Sequence, residues 1–271
     1  MRFFDLRRTL TAVLTVLVAT TGFKNALAAN NEYTAWQNID YIQKAFNEIA
    51  LKNEYRKTQL KVLKWQAPIR YQFFYHNMPK NPIVEGVFNA HLEHLRQITN
   101  HPIIQLQANS RVQPNLKIHF TRDADYGKVI QKETKTTVKN IERESNCMGS
   151  FKKNRNNEIY NATVVIPTDH VYSRGLLVAC VVEETTQIMG LPNDSDWVNP
   201  SIANDASRIE LLTGLDYLFL KTLYNKKLKA GMPFQENQHV IRAYLEQLRT
   251  SGEIERAARK VNQSGLYPLL N

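Results

Sequence analysis

From residue 183 to residue 194 the chain reads Glu-Glu-Thr-Thr-Gln-Ile-Met-Gly-Leu-Pro-Asn-Asp, and this stretch constrains the fold more than any other. Leu176, Leu177, Val178, Val181 and Val182 lead into it as an apolar body, so the pattern predicts a helix over residues 173–189. Gly190 stands where a helix cap favours left-handed backbone, and Pro192 forbids continuation. Side chains four apart share a helix face, so Glu183 and Gln187 converge on one point, whereas Glu184 is turned by about 100°. The helix thus ends in a sharp turn, with a carboxylate and an amide projecting together and Asn193 and Asp194 following at once.

The start of the chain has the form of a signal peptide over residues 1–28. Arg2, Arg7 and Arg8 precede an apolar run from Leu10 to Phe23, and Ala26-Leu27-Ala28 offers a small-residue cleavage site. That run of 14 residues falls short of the roughly 20 a membrane-spanning helix needs. A periplasmic or secreted protein with no membrane span after cleavage is therefore expected. The leader's Arg2, Arg7, Arg8, Lys24 and Asp5 carry three of the net charges in the total of +10, leaving about +7 on the mature chain. Such a cation outside the cytoplasm suits a peptide, a protein or an anionic envelope polymer as partner. Nucleic acid is excluded as a partner, because the basic residues are scattered and no binding signature accompanies them.

Cys147 and Cys180 are the two cysteines. In an oxidising compartment they read as one disulfide around about 32 intervening residues, contributing about 3 kcal/mol by loop entropy; two free buried thiols are the alternative. A bond here ties the helix carrying Glu183 to the chain around Asn146.

Hydrophobic periodicity organises the remainder. Trp36, Ile39, Ile42, Phe46 and Ile49 recur at helical spacing, residues 68–76 alternate as a strand, and Val84, Phe88, His91, Leu95 and Ile98 form a second helical stripe. Leu116, Ile118 and Phe120 alternate in another strand whose other side, with His119, is expected to face solvent. Residues 123–157 are charged and read as mostly surface, and residues 159–167 return to strand sequence. Thr213 and Asp216 have capping-box spacing ahead of a helix, and helical sequence over residues 240–261 breaks near Ser251-Gly252. The expected organisation is a leader (1–28), an N-terminal helical segment (29–62), a main domain (63–235) and a C-terminal helical extension packed on it (236–271). His91 and His94 read as structural, and His170, just ahead of the motif helix, is a cleft candidate beside Gly190.

The run E-E-T-T-Q-I-M-G-L-P-N-D-S-D, then Ser201 to Asp205, Leu212 to Asp216 and Leu223 to Asn225, together with Trp65 to Arg70, the cysteine pair and Gly231-Met232, resembles an uncharacterised bacterial secreted family. Its members look like degenerate zincins, relatives of metzincin metallopeptidases. In zincins the helix carries H-E-x-x-H, with a glycine before a third ligand; this chain has E-E-x-x-Q-x-x-G-L-x-N-D, and no methionine turn is recognisable. The resemblance covers residues 64–248. It implies an α+β fold with a mixed twisted sheet, a backing helix at residues 83–99, an active-site-type helix below a cleft and C-terminal helices.

By the same resemblance Glu183, Gln187 and Asn193 or Asp194 occupy the ligand positions, and Glu184 occupies that of the general base. An oxygen-only set suits calcium, magnesium or manganese better than zinc. A divalent metal is thus the one cofactor these residues could hold, and none is otherwise called for. The alternative is a hydrogen-bond network closing the helix end. The expected function is a non-catalytic binding or assembly protein of the cell envelope, a pseudoenzyme. The competing expectation is a metal-dependent peptidase or amidase with Glu184 as general base.

Overall fold

A computed structural model describes residues 35–53, 58–135 and 140–270. The expected signal peptide lies outside the described residues.

Strands β1 (Lys64–Trp65), β2 (Ile69–Tyr75), β3 (Ile103–Gln105), β4 (Leu116–Thr121), β5 (Met148–Lys153) and β6 (Glu158–Pro167) build one sheet. Its order is β1-β6-β4-β2-β3, all parallel, and β5 pairs antiparallel with β6. The sheet is therefore mixed, and with its helices the architecture is consistent with the α+β class. Val164, Val165 and Ile166 in β6 are all fully buried, as befits a strand covered on both faces.

Helix α1 (Ile39–Leu51) starts at Asn38, whose side chain accepts from two backbone N–H groups. Helix α2 (Pro82–Thr99) starts likewise at Asn81, with proline in its first turn. Phe88 of α2 meets Phe73 and Phe120 at ring distances of 6.0 and 5.5 Å, so α2 backs one face of the sheet. The opposite face carries α3 (Asp123–Thr134), which buries Tyr126, Val129 and Ile130 against Val165 in a small separate cluster that Met148 borders.

That placement corrects one expectation. His119 is 2 % exposed, not solvent-facing, because α3 covers it. The stretch 123–157 is largely exposed, as expected, and it also holds the short helix α4 (Ile141–Glu144) and β5. Three apolar residues at positions 126, 129 and 130 suffice to seat α3 despite the surrounding charge.

The helix expected over residues 173–189 is α6 (Leu177–Gln187), shorter at both ends, and a separate short helix, α5 (Thr168–Ser173), precedes it. The chain turns between them at Gly175, whose φ is +71°. Further on, α7 (Gly214–Leu223) begins with the capping box, Thr213 and Asp216 each bonding the other's backbone N–H. Helices α8 (Phe234–Thr250) and α9 (Glu253–Val261) separate at Ser251-Gly252, and α10 (Tyr267–Leu270) ends the described chain. Phe46 of α1 meets Phe219 of α7 at 6.2 Å, joining the N-terminal helix to the same core. No helix among the described residues is long and apolar enough to cross a membrane.

Candidate functional site

The end of α6 is fixed from two sides. Gly190 adopts φ +112°, and a Cβ there would overlap the Leu63 carbonyl, so only glycine lets the chain turn this close to the segment entering β1. Trp65 Nε1 donates to the Ile188 carbonyl at 2.8 Å and the Tyr224 hydroxyl to the Met189 carbonyl at 2.9 Å. These bonds satisfy carbonyls that a helix end leaves without partners. On its inner side α6 rests on α2, where His91 Nε2 lies 3.3 Å from Thr186 Oγ1 and burial pushes the imidazole down to about 3.

With its end held, α6 presents Glu183, Glu184 and Gln187 to a cavity of about 750 Å³. Asp194 and Asp205 join them, the end of α1 and residues 58–63 supply one wall, and residues 145–151 another. Gln187 Nε2 donates to both carboxylate oxygens of Asp194, at 3.0 and 3.1 Å. Asn193 is buried and donates from Nδ2 to the Asp194 carbonyl at 2.8 Å; it does not line the cavity. Of the two candidates after the turn, Asp194 is the one brought to the helix face.

Asp205 is a residue that the sequence reading did not single out. Glu183, Asp194 and Asp205 each offer an oxygen, all within 4.8 Å of one another. The loop bearing Asp205 is set by Asp216, which accepts from Ser201 Oγ at 2.6 Å, Ile202 N at 3.2 Å, and Thr213 N and Oγ1 at 2.8 and 2.9 Å. Burial pushes the Asp216 carboxyl up, and the hydrogen bonds from Ser201, Thr213 and Ile202 oppose it. No helical or strand period links position 205 to 183; the only signal was its place at the end of the Ser201 to Asp205 run.

Glu184 is 6 % exposed and lies against β5. A Cβ on Gly149 would stand 2.7 Å from its Oε2, so the missing side chain at 149 leaves room for that carboxylate. The disulfide Cys147–Cys180 forms, with Cα atoms 5.9 Å apart, and joins the start of β5 to α6. His170 does not line the cavity: its Nε2 lies 3.0 Å from Asn146 Oδ1 and its Nδ1 3.6 Å from Asp123 Oδ1, which braces the chain next to Cys147. Gly190 shapes the turn below the cavity and contributes no donor.

The donor set does not fit the zinc that a peptidase of the resembled class holds. The helix offers no imidazole, and its amide directs a nitrogen at Asp194. Three clustered carboxylates fit a hard, oxygen-ligated cation instead. The same cavity is also lined by Lys52, Lys61 and Lys153, so acidic floor and basic border lie side by side.

The family described as Protein of unknown function (DUF2927) matches residues 39–243. No curated protein and no solved structure matches the chain. The family match runs from the start of α1 into α8 and takes in the sheet, the disulfide and every carboxylate of the cavity. The chain belongs to the DUF2927 family.

Proposed function

We propose that this is an exported, zincin-like protein with a degenerate metallopeptidase motif, a periplasmic or secreted binding or assembly protein that does not catalyse hydrolysis. The kinship is supported by the order of elements: parallel strands with α2 behind them, then antiparallel β5 beside α6. Non-catalytic binding rests on one observation above the others, the pairing of Gln187 with Asp194. It turns two ligand positions toward each other and leaves no imidazole to hold zinc.

The ligand is an extended peptide segment of an envelope protein. Among the described strands β5 pairs only with β6, and residues 147–151 line the cavity. A peptide can therefore add along the other edge of β5 by main-chain hydrogen bonds, with side chains entering the cavity. Binding of a fluorescent peptide library to the purified protein, followed by competition, tests this: saturable binding lost in a folded Ala179→Trp variant, which fills the cavity from its half-buried lining, supports it, and equal binding by that variant contradicts it.

A second reading is favoured by the approach of Glu183, Asp194 and Asp205. It is a metal-dependent peptidase or amidase that uses Glu184 as general base with a non-standard oxygen ligand set. Hydrolysis that requires an added divalent cation and disappears in Glu184→Gln would support this reading over the first.

A further inference from the structure

The two faces of the sheet are covered unequally. Alternation along the strands turns Tyr71, Ala162 and Val164 toward α2 and the main core, and turns Arg70, Gln72, Lys117, Asn161, Thr163 and Lys152 to the other side. On that side α3 covers the level of His119 and Val165. Two rows remain nearer the start of the parallel strands. Gln72, Lys117 and Thr163 stand abreast in one, and Arg70, Asn161 and Lys152 share the next. Arg70, Gln72, Lys117 and Asn161 are half-buried, and Lys152 is exposed. Parallel strands are normally covered on both faces, so this open half of β2, β4 and β6 is the part of the sheet that a partner would complete.

Its charge is one-sided. The sequence has no Asp or Glu between Glu54 and Glu85, between Glu93 and Asp123, or between Glu144 and Glu158. Those stretches hold β2, β3, β4 and β5, so the open rows combine cations with neutral polar groups. Two bordering carboxylates are engaged elsewhere: Glu133 lies 3.7 Å from His119 Nε2 and 3.6 Å from Lys132 Nζ, and Glu158 Oε2 accepts from Asn154 Nδ2 at 2.7 Å. Lys117 Nζ stands 6.0 Å from the centre of the Phe74 ring, a contact that holds the ammonium over the central strands. Lys152 on β5 is three strand spacings, about 14 Å, from the strand of Arg70, with Lys117 on β4 between them.

We propose that this open half-face binds a linear anionic polysaccharide, with its carboxylates paired to Arg70, Lys117 and Lys152 and its hydroxyls bonded to the amides of Gln72 and Asn161. Separated cations suit a repeating negative charge, and side-chain amides both donate and accept, as sugar hydroxyls require. A peptide would need a free strand edge or apolar pockets. Here β2, β4 and β6 each have a neighbour on both sides. A membrane surface would call for several apolar side chains to insert, and Ile104, level with Arg70, is the exposed one in these rows. The face is also distinct from the cavity beside α6, which Lys153 lines and Lys152 does not.

Titration of the purified protein with a fluorescent polygalacturonate oligomer at low and at physiological salt tests the proposal. Saturable binding that weakens with added salt is expected. Lys117→Glu is expected to weaken it about tenfold or more, and so is Lys152→Glu, placed at an exposed position that leaves folding intact. Lys227→Glu makes the same change of net charge at an exposed position just after α7 and is expected to leave affinity unchanged. Ala179→Trp, inside the cavity, is expected to do likewise. Absence of binding, an equal loss in Lys227→Glu or Ala179→Trp, undiminished affinity in folded Lys152→Glu, or tighter binding of polyglutamate or of phosphatidylglycerol vesicles than of polygalacturonate would overturn the proposal.

Discussion

Gln187 spends its side-chain nitrogen on both oxygens of Asp194, at 3.0 and 3.1 Å, across the turn that Gly190 makes. The amide therefore neutralises nothing but holds a carboxylate that already has Glu183 and Asp205 as neighbours. Gln187→Glu keeps the size and replaces the donor by a further negative charge. It is expected to cost about 1–3 kcal/mol at neutral pH, since a bonded carboxylate then faces a like charge. Urea unfolding measures the loss, and added calcium or manganese is expected to restore part of it by binding the enlarged oxygen set.

Gly149 lets β5 and α6 approach closely around Glu184. A methyl at this position meets Glu184 Oε2 at 2.7 Å, its carbonyl oxygen at 3.1 Å and Ile188 Cγ2 at 3.3 Å. Gly149→Ala is expected to destabilise by about 1–3 kcal/mol through overpacking and to weaken peptide binding more than tenfold by shifting Glu184 or β5. Denaturant unfolding and a peptide titration on the same sample check both.

Asp216 organises the loop that delivers Asp205, although it lies outside the cavity. Asp216→Ala removes the acceptor for Ser201, Ile202 and Thr213 and also one half of the capping box. The expected loss is about 3 kcal/mol, the scale for orphaning several buried donors. Asp216→Asn is expected to lose less, because its amide oxygen still accepts. Calorimetric unfolding of the two variants should rank them in that order.

Acid should loosen the fold through two buried imidazoles. His91 and His94 sit on α2, and burial drives them down to about 3 and about 4. Both are neutral in the folded chain and would protonate near 6.5 if unfolded, so stability is fully present above that value and declines as pH falls toward 4. Every tenfold difference in proton affinity is worth about 1.4 kcal/mol, so a total loss of a few kcal/mol by about pH 4 is expected. Equilibrium unfolding across this range in parent and His94→Gln proteins measures the slope, which should be shallower in the variant.

Much of the framework was legible because local patterns and tertiary packing agree. The alternation at residues 69–75 is β2, the stripe from Val84 to Ile98 is the buried side of α2, and Thr213 with Asp216 caps α7 as their spacing requires. Where the local signal is thin, the reading failed. β5 carries Gly149, Ser150, Lys152 and Lys153, and its role depends on pairing with β6 rather than on its own hydrophobicity. His119 looked solvent-facing because the helix that buries it has only three buried apolar residues. Gly175 delays the start of the motif helix to Leu177 through a backbone angle that composition alone does not announce.

At the candidate site, Glu183, Gln187 and Asp194 could be grouped from helical spacing and the position of Gly190. Asp205 could not, since it reaches the cavity through a loop secured by Asp216. Nor does spacing reveal which partner a side-chain amide selects. The bond from Gln187 to Asp194 is a property of the folded turn.

The central claim is that the cavity beside α6 and β5 retains peptides without cutting them. Mass spectrometry of a proteome-derived peptide library, incubated with the purified mature protein and with zinc, calcium or manganese in turn, tests it most directly. The account predicts that the bound fraction is recovered intact under every condition. New cleavage sites that appear with the parent protein and vanish with Glu184→Gln would contradict it.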